Sequence, residues 1–103
     1  MKYQVIESSR ATCEIYEIFD WLCDRSPQGA EAWLDSWEQT VQVLRESAGS
    51  YGLAPENVDH DVEVRQVLFK PRRGKRYRAL YMIDGNKVIV LHVRGHGQDR
   101  PTQ

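Results

Sequence analysis

The chain has 103 residues, a length that suits one domain with a modest core, and we predict a single domain over residues 1–103. Its 41% hydrophobic and 28% charged residues are typical of a globular protein, and no apolar run approaches the roughly 18 residues of a membrane span. Residues 1–7 lack the apolar core of a signal peptide, so we expect a cytoplasmic protein.

Charge is divided unequally along the chain. The net charge is only -1, but residues 1–64 carry four Lys or Arg against thirteen Asp or Glu, whereas residues 65–103 carry ten against two. Two explanations stay open: a surface that binds a polyanion, or acidic helices and a basic sheet that neutralise each other within the fold. Six of the cations fall within nine residues: Lys70, Arg72, Arg73, Lys75, Arg76 and Arg78.

The first half of the chain predicts a strand and two helices. Residues 2–7 contain β-forming side chains, and from Ala11 onward apolar residues recur at helical spacing after the suitable N-cap residues Ser8 and Ser9. Ser26-Pro27 predicts the end of this helix and the start of a second one over Pro27–Ser47. Because so few residues join them, the helices should form an antiparallel hairpin.

Tryptophan and cysteine side chains in these helices have structural explanations. Trp21, Trp33 and Trp37 fall at helical spacings that favour core packing over base stacking. Cys13 and Cys23 lie about 15 Å apart along one helix, too far for a disulfide, and no spacing indicates zinc. We expect two reduced thiols and no metal or cofactor.

The second half predicts three strands. Gly and Pro residues indicate a loop over residues 49–60, and strand-like segments follow at 62–69, 77–83 and 88–94. In the first segment Val67-Leu68-Phe69 breaks the alternation, which predicts a bulge or burial on both faces. Asp84–Lys87 predicts a tight hairpin turn, and a polar tail ends the chain.

The resulting order, β-α-α-β-β-β, predicts an α+β fold. Three consecutive C-terminal strands should form an antiparallel meander, which the N-terminal strand extends into an antiparallel sheet. The helical hairpin is expected to cover the apolar face of that sheet.

Cations and imidazoles on adjacent strands are the candidate functional groups. If Arg65 and Arg78 share a face, their guanidinium groups can grip one phosphate. His96, between two glycines, is expected to titrate near neutral pH and to act as a general acid or base, whereas His92 alternates with valines and is expected to face the core. This set fits metal-independent RNA cleavage through the 2′-hydroxyl, and equally simple phosphate binding.

The sequence resembles the RelE/ParE superfamily of toxins from bacterial type II toxin–antitoxin modules. The clearest stretch is Tyr77-Arg78-Ala79-Leu80-Tyr81-Met82-Ile83, a tight turn, a valine-rich strand, and then Arg94-Gly95-His96. Weaker similarity covers Ala11 to Leu22, Ser26-Pro27, Gly52 to Glu56, and Val64 to Val67. The resemblance implies a RelE/ParE-like fold and a cognate antitoxin protein as partner.

The resemblance leaves the target open between two branches. RelE-like members cut mRNA in the ribosomal A site, and ParE-like members act on DNA gyrase. We expect the RelE-like endoribonuclease first, although no tyrosine follows His96 and the chain is not basic overall. The alternatives are a gyrase inhibitor without nuclease activity and a non-toxic binding module.

Site residues follow from the resemblance for the nuclease branch. Arg65 and Arg78 would grip phosphate, and His96 would be the general acid or base. The expected RNA- or phosphate-binding residues are Lys70, Arg72, Arg73, Lys75, Arg76 and Arg94.

Overall fold

The fold is a four-stranded sheet with a helical hairpin on one face. The computed structural model describes residues 2–54, 63–72 and 74–95. This arrangement confirms the predicted α+β class and element order. The elements are β1 (Gln4–Glu7), α1 (Ser9–Arg25), α2 (Pro27–Ser47), a 3₁₀ turn (Ala48–Ser50), β2 (Arg65–Phe69), β3 (Tyr77–Asp84) and β4 (Lys87–Gly95).

Two serines set the limits of the helices. The Ser8 hydroxyl oxygen accepts a hydrogen bond from the Ala11 N–H at 3.1 Å and caps α1. Ser26 ends α1 by donating its N–H to the Leu22 carbonyl at 2.7 Å, and its side chain caps α2 by accepting from the Gly29 N–H at 3.0 Å. A single residue therefore joins the two helices, as Ser26-Pro27 predicted.

Strand order in the sheet is β1-β4-β3-β2. The predicted meander is confirmed, because β3 pairs antiparallel with both β2 and β4. The expectation that β1 would also be antiparallel is wrong: Gln4–Glu7 runs parallel to Lys87–Val90. Parallel pairing is possible here because most of the chain, including both helices, lies between the two strands.

Aromatic side chains fill the core between the helices and the sheet. Trp33 is fully buried, with its ring centroid 6.2 Å from that of Phe69 and 5.7 Å from that of Tyr77. Trp37 also packs on Phe69, at 5.5 Å. These contacts confirm the core role of two of the three tryptophans. Trp21 is different, because it is 54% exposed and the Arg25 guanidinium lies 3.6 Å from its ring centroid.

The sheet contains a bulge, but not in the strand where it was expected. Within β2, Val67 and Phe69 are buried against the helices, whereas Leu68 is 50% exposed on the opposite side, and the pairing with β3 is regular. The register shift lies between β3 and β4: Leu80 pairs with His92 but Tyr81 pairs with Val90.

The bulge changes where His92 lies. Leu91 is the extra residue of β4, and beyond it the alternation of side chains is displaced by one position. His92 therefore lies opposite Leu80 on the sheet face turned away from the helices, which we call the open face. The expectation that His92 faces the main core is wrong.

Candidate functional site

The predicted cations that the structure describes lie in several separate environments. The first is the connection between β2 and β3, residues 70–76, which we call the cationic loop. Within it, the Gly74 N–H donates to the Pro71 carbonyl at 3.2 Å, and a Cβ at position 74 would overlap the Pro71 ring. A glycine is thus required for a compact turn. Four cations of the loop are described and exposed: Lys70, Arg72, Lys75 and Arg76.

Arg78 lies on the open face, near the start of the inner strand β3. Its Cα is paired with Leu68 on one side and with Arg94 on the other. The Arg78 Nη1 donates a hydrogen bond to the Gln66 Oε1 at 3.0 Å. This contact holds a half-buried guanidinium across two strands, next to the exposed side chain of Leu68.

Arg65 lies on the other face. It pairs with Tyr81, whose side chain is buried on the helical side, whereas Arg78 pairs with Leu68 on the open face. Successive side chains of a strand point to opposite faces, so the two guanidinium groups do not converge. The phosphate grip that requires Arg65 and Arg78 on one face is not formed.

The contacts of Arg65 indicate a structural role. Its Nη1 donates to the Tyr51 carbonyl at 2.5 Å, and its Nη2 lies 3.3 Å from the Glu63 Oε1. The neighbouring Tyr81 hydroxyl donates to the Ala48 carbonyl at 2.6 Å. Burial raises the pKa of Tyr81 to about 12, and the positive charge of Arg65 opposes part of that rise. Arg65 thus anchors the segment that follows α2.

Arg94 and His92 lie next to the carboxylate of Glu14, a residue that the sequence did not indicate as part of a site. The Glu14 Oε1 accepts a hydrogen bond from the Val93 N–H at 2.9 Å. The Glu14 Oε2 lies 3.3 Å from the His92 Nδ1 and 3.7 Å from the Arg94 Nη2. In the sequence Glu14 is one of several acids on α1, and only its pairing with β4 distinguishes it.

Two predicted site residues, Arg73 and His96, lie outside the described residues, so the roles assigned to them remain predictions. Within residues 2–54, 63–72 and 74–95, no group of three His, Cys, Asp or Glu side chains is arranged to hold a metal ion. In the same ranges, neither helix combines the length and the apolar character needed to cross a membrane.

The architecture matches a fold that has been solved before. The structure described as the chromosomal ParDE TA system from P. aeruginosa superposes with a TM-score of 0.66 at 17% sequence identity. The match covers 91% of this chain and 96% of that chain. At this identity the similarity establishes the fold.

Family membership comes from the sequence profile. Residues 5–100 match the family described as the ParE toxin of the type II toxin-antitoxin system, parDE. The chain therefore belongs to the ParE toxin family, within the RelE/ParE superfamily that the sequence resembled, and a cognate antitoxin is its partner. No curated protein sequence gives a significant match.

Proposed function

We propose that the protein is a cytoplasmic toxin that inhibits DNA gyrase and does not cut mRNA. The family match over residues 5–100 carries the proposal, because it is to ParE rather than to the ribosome-dependent nucleases. The ribonuclease interpretation, which we preferred on the sequence, is the less well supported of the two.

Site geometry agrees with this choice. The nuclease interpretation placed two arginines on one phosphate, and Arg65 is instead bound to the Tyr51 carbonyl on the helical side of the sheet. The described cations of the cationic loop are exposed. They can bind another macromolecule without being arranged as a catalytic site. We propose that this loop, together with Arg78, contacts the gyrase–DNA complex through its positive charge.

The decisive experiment is a supercoiling assay with purified gyrase. The protein should inhibit supercoiling and cause cleaved DNA to accumulate. Primer extension on mRNA with translating ribosomes should show no codon-positioned cuts. Cuts on mRNA together with normal supercoiling would establish the nuclease instead, and harmless expression without antitoxin would support a non-toxic module.

Substitutions in the cationic loop test whether this loop contacts the gyrase–DNA complex. Lys75→Ala combined with Arg76→Ala should weaken gyrase inhibition by about tenfold, because the double variant removes two cations that would contact a polyanion. Lys87→Ala is the matched control, because Lys87 is an exposed cation at the opposite end of β3 and β4. Equal effects of the loop variant and the control would exclude the cationic loop as the contact.

A further inference from the structure

A pocket opens at the end of the molecule where the two helices are joined. It lies between the end of α1, the start of α2, the cationic loop and the paired ends of β3 and β4, and it has a volume of about 580 Å³. Pockets that bind small molecules typically have volumes of about 300–1,000 Å³. We call it the tryptophan pocket, because Trp21 of α1 and Trp33 of α2 both line it.

The walls of the tryptophan pocket offer aromatic surface. Trp21 is 54% exposed, and the Arg25 guanidinium covers one face of its indole, 3.6 Å from the ring centroid. Arg25 is not among the residues that line the pocket, so Trp21 presents a different part of its ring there. The half-buried ring of Tyr77 lines the pocket as well. Such walls suit an occupant with a planar ring that can stack on an aromatic side chain.

The same walls contain hydrogen-bond donors. The Trp33 indole N–H is buried and has no acceptor within residues 2–54, 63–72 and 74–95. Buried donors rarely stay unpaired, because an unmade hydrogen bond costs free energy. Burial raises the pKa of Tyr77, so its phenol keeps its proton and remains a donor at neutral pH. An occupant that carries acceptor atoms is therefore favoured over a purely apolar one.

Two charged side chains narrow the chemistry of the occupant. Lys75, an exposed cation of the cationic loop, lines the pocket, and Glu17 lines it from α1, one turn before Trp21. A lysine ammonium attracts a phosphate group, whereas a carboxylate accepts hydrogen bonds from N–H groups. A nucleotide combines a planar ring, ring acceptors, N–H donors and a phosphate group. It is therefore complementary to the aromatic, donor and charged parts of these walls.

We propose that the tryptophan pocket binds one unpaired nucleotide of a DNA strand, with the base against Trp21 and Glu17 and a phosphate group at Lys75. The base must be unpaired, because a base inside a duplex is stacked between its neighbours and cannot enter a pocket. The assignment to DNA rests on the proposed function, which brings the cationic loop to the DNA that gyrase holds.

The first test measures binding of a fluorescently labelled oligothymidine of about 12 nucleotides to the purified toxin by anisotropy, without gyrase. Trp21→Ala should weaken binding by about tenfold, because the stacking partner of the base is lost, and Trp21→Phe should retain most of the affinity. Tyr16→Ala is the matched control, because Tyr16 is a 66% exposed aromatic residue of α1 that does not line the pocket. Circular dichroism and thermal unfolding verify that the variants are folded.

The second test examines the contact of the base with Glu17. Guanine presents two neighbouring N–H donors on its pairing edge, which a carboxylate can accept together. Replacing one central thymidine of the oligonucleotide with deoxyguanosine should therefore strengthen binding to the unsubstituted toxin. Glu17→Gln should reduce this preference for guanine, because the amide offers only one acceptor oxygen.

Three outcomes would overturn the proposal. Wild-type affinity of a folded Trp21→Ala variant for oligothymidine, or no preference for guanine, would show that no base lies in the pocket. Tighter binding of the RNA counterpart than of the DNA would assign the pocket to RNA. Loss of gyrase inhibition in Trp21→Ala with unchanged DNA binding would assign it to a protein partner. A toxin that binds the oligonucleotides as expected but leaves supercoiling normal would refute the gyrase target and support the nucleotide site.

Discussion

Tyr81 shows how one buried hydroxyl links stability to pH. Its phenol has an ordinary pKa of 10.0 in the unfolded chain and about 12 in the folded protein. The unfolded chain therefore loses this proton first as the pH rises. The associated stability is fully present below about pH 10 and is lost between about pH 10 and 12.

We predict a decrease of about 2–3 kcal/mol in the free energy of unfolding across that interval from Tyr81 alone, at 1.36 kcal/mol per pKa unit. Denaturant titrations from pH 9 to pH 11.5 measure it. Tyr81→Phe should reduce the slope, although it costs about 1–3 kcal/mol at neutral pH by leaving the Ala48 carbonyl without its donor. An unchanged slope in Tyr81→Phe would show that other groups cause the loss.

Arg65 and Arg78 should respond differently to truncation. Arg65→Ala removes the donor to the Tyr51 carbonyl, and we expect it to lower the free energy of unfolding by about 1–3 kcal/mol. Arg78→Ala removes a side-chain contact with Gln66 on the open face, so its main effect should be on toxicity at nearly unchanged stability.

Denaturant midpoints and growth arrest, measured on the same two variants, separate these effects. If Arg65→Ala abolished toxicity at wild-type stability, Arg65 would belong to the functional surface after all. If Arg78→Ala unfolded the protein, its contacts would be structural.

At the scale of secondary-structure elements, Glu14 connects α1 to the part of β4 that β1 does not cover. Its carboxylate accepts from the Val93 N–H, where β1 no longer extends along the strand. Glu14→Ala leaves this N–H without its acceptor, and we predict a loss of about 1–3 kcal/mol of unfolding free energy. Glu14→Gln keeps an acceptor but loses the charge facing His92 and Arg94, so it should cost less.

Chemical denaturation of the two Glu14 variants provides the measurement. Glu17→Ala is the matched control, since Glu17 is an exposed acid one turn along the same helix. Equal losses in Glu14→Ala and Glu17→Ala would mean that the contact with β4 contributes nothing.

The helices, strands and tight turns could largely be predicted from short stretches of the sequence. Ser26-Pro27 specified the joint between the helices, and Asp84–Lys87 specified a hairpin in which Gly85 has a φ of 63°. Both signals lie within a few residues of the structure that they determine.

Groupings of side chains across the sheet were not predictable in the same way. Whether Arg65 and Arg78 share a face depends on the register in which the strands pair, because a shift of one residue moves every side chain to the opposite face. The bulge at Leu91 moved His92 for that reason, and the contact of Glu14 with β4 joins residues 79 apart in sequence. Such contacts follow from the assembled sheet and leave no local pattern.

For the whole molecule, the unequal distribution of charge should govern association. The cationic loop presents its exposed Lys and Arg side chains at one end of the sheet, whereas most acids belong to the helical half. We predict that the association rate with the antitoxin falls steeply as salt rises through about 0.15 M, where the Debye length is about 8 Å.

Stopped-flow mixing at several salt concentrations tests this prediction. Lys75→Glu combined with Arg76→Glu should reduce the association rate and its salt dependence, with a smaller effect on dissociation. Lys87→Glu should change neither by much. A salt-independent rate in the wild type would show that charge does not steer this encounter.

Parallel pairing of β1 with β4 has a consequence for synthesis of the toxin. The first strand of the chain hydrogen-bonds to the last, and the Ser8 N–H donates to the Val90 carbonyl. A nascent chain can form the helical hairpin early, since its contacts are local, but the sheet stays incomplete until β4 has been translated. Prematurely terminated products lack the strand that holds β1 and β3 together. We therefore expect toxicity only from chains that have been synthesised through Gly95.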